Sequence, residues 1–161
     1  MNGSTRWRTR VAERARIALA ALVAIGLLGL TGCSADMNTT DVQDRLVAAT
    51  DLNGALVEVQ HPGAPWNDKI VVWMFVDDGS AQAVADDVRD VAGFAADDAD
   101  LSDEELTLIA VKGRPEDFPE RHQLAVAGEY VMGEVASLVG GSGSEDQLVL
   151  GGADVRRLAD Q

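Results

Sequence analysis

Along residues 40–161 the apolar positions change period several times, and each change marks an element. Val42, Leu46, Val47 and Ala49 recur at helical spacing behind Thr40-Asp41-Val42-Gln43, a capping box with Gln three residues after Thr, and Asn53-Gly54 stops the run. This predicts a helix over about 40–50. Ala55 to Gln60 and Lys69 to Val76 read as strands joined by a loop from His61 to Asp68. The second contains Ile70-Val71-Val72-Trp73-Met74-Phe75-Val76, apolar on both faces and rich in branched and aromatic side chains, as a central strand requires. Beyond the turn at Asp77-Asp78-Gly79-Ser80, the residues Ala81, Val84, Ala85, Val88, Val91, Ala92 and Ala95 form one helical stripe, with Asp86, Asp87, Arg89 and Asp90 opposite. Leu106 to Val111 is a third strand. A longer helix opens at Asp117 or Pro119 and turns Leu124, Ala127, Val131, Val135 and Leu138 the same way. Gly140 to Ser144 is flexible punctuation; Gln147 to Leu150 reads as a fourth strand and Ala153 to Ala159 as a terminal helix.

The order α-β-β-α-β-α-β-α has no repeat and no internal boundary, so residues 40–161 are expected to form a single α+β domain. The strand-strand-helix-strand portion resembles the later part of a ferredoxin-like unit that lacks its first strand. The strand near Leu148 would fill that vacancy. The expected architecture is a small two-layer sandwich of permuted ferredoxin-like type, with a mixed or antiparallel sheet and helices mainly on one face.

Ahead of this domain the pattern differs. Met1 to Arg16 is basic, and Ile17 to Leu30 is an uncharged apolar run of 14 residues. That length suits the apolar region of an export signal and falls short of the roughly 20 residues of a membrane-spanning helix. The run ends in Leu30-Thr31-Gly32-Cys33. This tetrad resembles the lipobox of bacterial lipoproteins, with Leu at −3, small residues at −2 and −1, and Cys at +1. The resemblance implies a diacylglyceryl group on the Cys33 thiol, cleavage by signal peptidase II between Gly32 and Cys33, and a new amino group open to acylation. Residues 1–32 would then be a removed signal peptide and residues 33–39 a lipidated tether. An ordinary secretory signal or an uncleaved helix leaves the order Leu-Thr-Gly-Cys unexplained. The basic region Met1 to Arg16 contains no Arg-Arg pair, so the twin-arginine route is not indicated. The richness in Ala, Asp, Gly and Arg is similar to that of actinobacterial lipoproteins.

Charge sharpens the picture of the anchor. The whole chain carries −14, from 13 basic and 27 acidic residues; removing Arg6, Arg8, Arg10, Arg14, Arg16 and Glu13 leaves 8 and 26, a net −18. Such a field repels nucleic acid and anionic lipid head groups, so no nucleic-acid partner is expected and attachment to the cell membrane must come from covalent lipid. Cys33 is the sole cysteine, which leaves the 129 residues from Cys33 to Gln161 without a disulfide or a second thiol.

Candidate chemistry is sparse. His61 and His122 are the two histidines, and neither stands in a metal-binding spacing. Gly-x-Ser-x-Gly, phosphate-loop and dinucleotide patterns do not occur, and no cofactor or metal is expected. The acidic run from Asp97 to Glu105 is the best candidate for binding a hard cation, though a solvated loop is the favoured reading. Laid on an EF-hand loop from Asp98, it supplies oxygens from Asp98, Asp100, Ser102 and Glu104, but Asp103 replaces the turn glycine and Ile109 the closing Glu. Asp98, Asp100, Asp103 and Glu104 are therefore weak metal candidates.

The stronger feature is apolar. Trp73 shares a strand face with Val71 and Phe75, and Trp66 lies in the preceding loop. If helices cover one side of the sheet, either this set or Ile70, Val72, Met74 and Val76 faces outward as a partner surface. Alternatively both sides are covered, the C-terminal helix being available for the second. Three functions fit these observations: a non-enzymatic binding or assembly module of the cell envelope working through Trp66, Val71, Trp73 and Phe75; an envelope hydrolase or metal-dependent enzyme using Asp77, Asp78 and one histidine; and a carrier of divalent cations or small ligands. The first is preferred, with an envelope protein or peptide as its partner.

Overall fold

A computed structural model of the chain describes residues 37–63 and 68–161. Residues 1–36, which include the expected export signal, Gly32 and Cys33, and residues 64–67, which include Trp66, lie outside the described residues. Helix α1 spans Thr39–Ala49 and is capped by Asn38, whose side chain accepts from the Asp41 amide. The cap thus falls two residues before Thr40, because Asn at this position satisfies a free amide of the first turn. Val42 and Leu46 are the buried seam of α1. Strand β1 (Gly54–Gln60) and strand β2 (Lys69–Val76) follow, then helix α2 (Ala81–Asp97) and strand β3 (Leu106–Lys112). A 3-10 turn at Pro115–Asp117 leads into helices α3 (Arg121–Ala127) and α4 (Met132–Val139). The chain closes with strands β4 (Ser142–Gly143) and β5 (Leu148–Leu150) and helix α5 (Gly152–Ala159).

The sheet order is β1-β2-β3-β5-β4. β1 and β2 form an antiparallel pair, with Leu56 opposite Trp73; β2 and β3 run parallel, with Trp73 opposite Ile109; β3 and β5 are antiparallel, with Leu108 opposite Leu148. The expected α+β class with a mixed sheet is therefore present. Inside it, two strands occupy each other's expected places. In a ferredoxin-like sheet the strand after α2 would sit outside and the strand near Leu148 would be inserted beside β2. Here Leu106–Lys112 pairs directly with β2, and Leu148–Leu150 lies outside it. Strand length and burial explain the exchange: β3 has seven residues that are apolar on both faces except at Thr107 and Lys112, whereas β5 offers only three. A long two-sided apolar strand gains most from the middle of a sheet, and a short one suits its margin.

Helices α1, α2, α4 and α5 pack on one face against Val57, Ile70, Val72, Met74, Leu106, Leu108, Leu148 and Leu150. The predicted stripe of α2, from Ala81 to Ala95, is buried at all seven positions. The terminal helix α5 packs on this same side and against α2, through Val155 and Leu158. It is fixed by Arg157, whose guanidinium donates to the carbonyls of Val139 (2.9 Å) and Gly140 (3.0 Å) at the end of α4. A cation there also meets the negative end of the α4 dipole. Gly140 takes the left-handed conformation (φ +69°) that ends α4, and Ser142–Gly143 then pairs with β5, so the Gly/Ser stretch is an ordered cap and strand.

The longer helix expected from Asp117 onward is two helices on opposite sides of the sheet. Because β5 pairs only with Leu106–Leu108, the far half of the β3 edge needs other partners. Gly128 supplies one by bridging to Val111, and the Glu129 amide donates to the Ala110 carbonyl at 2.8 Å. The helix must break there to make these bonds. Leu138, expected on the inward stripe, is 43% exposed as a result of the changed register.

Gly93 lies inside α2, and a methyl group placed on it would meet nothing within 4 Å. Glycine in a helix interior costs backbone entropy that alanine does not. Gly93→Ala should therefore stabilise the domain by about 0.5–1 kcal/mol, read as a higher midpoint in thermal or urea unfolding.

Candidate functional site

The second face of the sheet is built by the alternate residues of the same strands. Register places Gly54, Phe75 and Val111 in one row across it, Leu56, Trp73 and Ile109 in the next, and Glu58, Val71, Thr107 and Val149 in a third. Its cover is the connection between β3 and α4, not the C-terminal helix. Phe118 contacts Phe75, ring centroids 5.9 Å apart and tilted by 40°, while Leu124 and Ala127 of α3 join the same apolar cluster. Pro115 rests directly on Gly54, where a Cβ would come within 2.5 Å of the proline ring. Only glycine admits this approach.

Both faces of β2 are thus covered, though unequally. Val71 and Phe75 are buried, so neither can offer a surface. Trp73 remains half-buried, flanked by half-buried Leu56 and Ile109. The indole Nε1 of Trp73 is buried and has no hydrogen-bond partner among the described residues, and the same holds for Thr107 Oγ1 on the same face. Buried tryptophan N–H groups ordinarily find an acceptor. At the third row, Glu58 is 13% exposed in its side chain and forms an ion pair with Arg121 of α3, which is 70% exposed. Glu58, Thr107 and Arg121 were not singled out from the sequence. The alternation of β1 does place Glu58 on the same face as Leu56, and that inward carboxylate was the available clue.

The residues proposed for catalysis are dispersed among other duties. His61 pairs with Asp68 at 2.7 Å and His122 with Glu120 at 3.2 Å, all on exposed side chains. Asp77 accepts from Asn53 Nδ2 at 2.8 Å, and Asp78 accepts from the Ser80 amide at 2.9 Å, shaping the turn into α2. An open groove of about 530 Å³ between α2 and α5 is lined by Gly93, Ala96, Asp97, Arg156, Ala159 and Asp160 and brings in none of these groups.

The acidic run is organised around a cation of the protein's own. Arg45 of α1 donates through Nε and a terminal nitrogen to both oxygens of Asp98 (2.9 and 3.1 Å) and to Asp100 at 2.8 Å. These two carboxylates hold the guanidinium more firmly protonated than usual. Asp98 is nearly buried and also accepts from the Asp100 amide. Asp103 pairs instead with Arg156 at 3.1 Å, and Glu104 is exposed. Among the described residues no group of three or more His, Cys, Asp or Glu is arranged to hold a metal ion. Asp98 and Asp100 meet, then, but around Arg45, while Asp103 turns to a different helix.

A second acidic group lies on α2. Burial first, then Asp90, Asp86, Asp51 and Asp77, raise the Asp87 carboxyl from its ordinary 3.8 to about 6. A carboxyl raised on folding contributes its full stability below the unfolded value, near pH 4, and loses it as pH rises through 6. Asp87→Asn should therefore leave the unfolding midpoint unchanged at pH 3.5 and raise stability at pH 7.5 by about 1 kcal/mol, after allowance for the group's partial exposure. Removing the buried acceptor of the Arg45 cluster acts in the other direction: Asp98→Ala should cost about 2 kcal/mol in urea unfolding, since it strips charged hydrogen bonds and orphans the Asp100 amide. No protein-family model, curated protein or solved structure matches this chain.

Proposed function

We propose that the protein is a bacterial envelope lipoprotein, held on the outer side of the cell membrane by lipid on Cys33, whose domain binds or assembles a protein or peptide partner without catalysis. The address rests on Leu30-Thr31-Gly32-Cys33 at the end of an uncharged run of 14 residues. With a remainder of net −18, attraction to anionic head groups cannot assist the attachment, so two or three acyl chains must supply it.

The observation that carries the binding reading is Trp73. It combines a half-buried indole, apolar neighbours Leu56 and Ile109, and a ring N–H with no partner among the described residues. Tryptophan is the residue type that concentrates binding energy at interfaces, because its ring offers a large and rigid apolar area. The preference for binding over hydrolysis is favoured by the dispersal of His61, His122, Asp77 and Asp78 into separate local pairs.

Mass spectrometry of the membrane fraction should find lipid on an N-terminal Cys33, and Cys33→Ser should accumulate as uncut, lipid-free precursor. An unmodified, secreted wild-type chain would refute the anchor. For the domain, cross-linked partners recovered from envelope membranes should fall about tenfold or more with Trp73→Ala, the size expected for loss of an aromatic anchor. Gly93→Ala, on the other face, should leave recovery intact. Equal recovery from a Trp73→Ala protein that still unfolds cooperatively would remove this surface from consideration.

A further inference from the structure

The cover over the Trp73 face has the mechanical form of a strap. Its ends are tied to the sheet by backbone hydrogen bonds: the Gly113 amide donates to the Val76 carbonyl at 3.0 Å, Gly128 bridges to Val111, and the Glu129 amide donates to Ala110. Between those ties, among the described residues, the backbone of residues 114–127 makes no hydrogen bond to the sheet. It touches the sheet through side chains: Pro115 on Gly54, Phe118 on Phe75, Leu124 and Ala127 in the apolar cluster, and Arg121 on Glu58. Gly113 has a φ of +122°, a conformation that side chains disfavour, and Gly128 leaves the helical region at ψ 136°. Each end of the strap is therefore a glycine at a sharp change of backbone direction, the kind of position that absorbs rotation.

Energetics favour a strap over a fixed wall. A segment with few buried contacts and a hydrogen-bonded backbone of its own belongs to the low-stability end of a structure. Of α3, only Leu124 is fully buried, while Val126 is 77% exposed. Trp73 packs against the cluster that Phe118, Leu124 and Ala127 help to form, and its buried Nε1 has no acceptor among the described residues, so an opening that wets this atom returns a desolvation cost. The Glu58–Arg121 pair opposes this at one point, joining a mostly sheltered carboxylate on the sheet to a cation of the strap that stays largely in solvent.

We propose that residues 114–127 form a strap that lifts as a unit between Gly113 and Gly128, with the Glu58–Arg121 pair as its latch, and that lifting uncovers Trp73. The strap deepens the binding reading above and rests on it for what the opened face meets. Its motion can be tested without any partner, so either idea can fail while the other stands.

The test is native-state hydrogen exchange on the full chain, with acrylamide quenching of Trp73 in a Trp7→Phe, Trp66→Phe background. In the wild type, amides of α3 should exchange faster than those of β2 and β3, through an opening smaller than global unfolding. Arg121→Ala should speed α3 exchange about tenfold, leave β2 and β3 unchanged, and raise quenching of Trp73 two- to threefold. Phe118→Ala, which removes a different contact of the same strap, should do likewise. Exchange of α3 at the rate of β2, or an equal acceleration of strap and sheet with unaltered quenching, would overturn the strap.

Discussion

Parallel pairing of β2 with β3 is the constraint on which the rest of the structure depends. Two adjacent strands, each apolar on both faces, cannot leave either face to water, and their parallel direction requires a helical crossover between them. Helix α2 is that crossover, and its seven buried positions settle which face becomes the main core. The remaining helices of that layer, α1, α4 and α5, complete the cover around it. The opposite face, with Phe75, Trp73, Val71 and Thr107, then has to be closed by whatever chain is left between β3 and α4.

That remaining segment is short, and the consequences concentrate around it. Seven residues of α3 and one turn of 3-10 helix cannot bury as much apolar surface as four helices do. Phe75 and Val111 are sealed, yet Trp73, Leu56 and Ile109 stay half-buried. A thin cover also brings a charge inward, for Glu58 sits on this face and needs Arg121 to remain there. The short β5 adds its own effect by leaving the end of β3 unpaired, and Gly128 and Glu129 fill the gap as the chain passes from one face to the other.

Electrostatics divide along similar lines. The chain is strongly acidic, but its acidic groups are not equivalent. Asp98, Asp100 and Asp103 are matched by Arg45 and Arg156, cations that come from helices far away in sequence, so the most anionic stretch serves to join α1 and α5 to the end of α2. Asp87 is partly buried among other carboxylates, and burial first, then those neighbours, raise its carboxyl from 3.8 to about 6. A cluster of carboxylates in a sequence thus announced a cation, and the cation it found was a guanidinium.

Periodicity in the sequence determined the strands β1, β2 and β3, the helices α1, α2 and α5, and the buried stripe of α2, since each follows from neighbours within a few residues. Composition and residue order likewise established the acidity, the single cysteine and the tetrad Leu30-Thr31-Gly32-Cys33. Tertiary structure alone decided the rest. The exchange of places between β3 and the strand near Leu148 depends on comparing pairing edges across some forty residues. The break at Gly128 answers an unpaired edge that no local pattern reveals. Whether Val71 and Phe75 face a partner or a core depends on where residues 115–127 come to rest, and the role of Asp98 depends on Arg45, fifty-three positions away. Local spacing fixes which way a side chain points, while only the fold decides what meets it there.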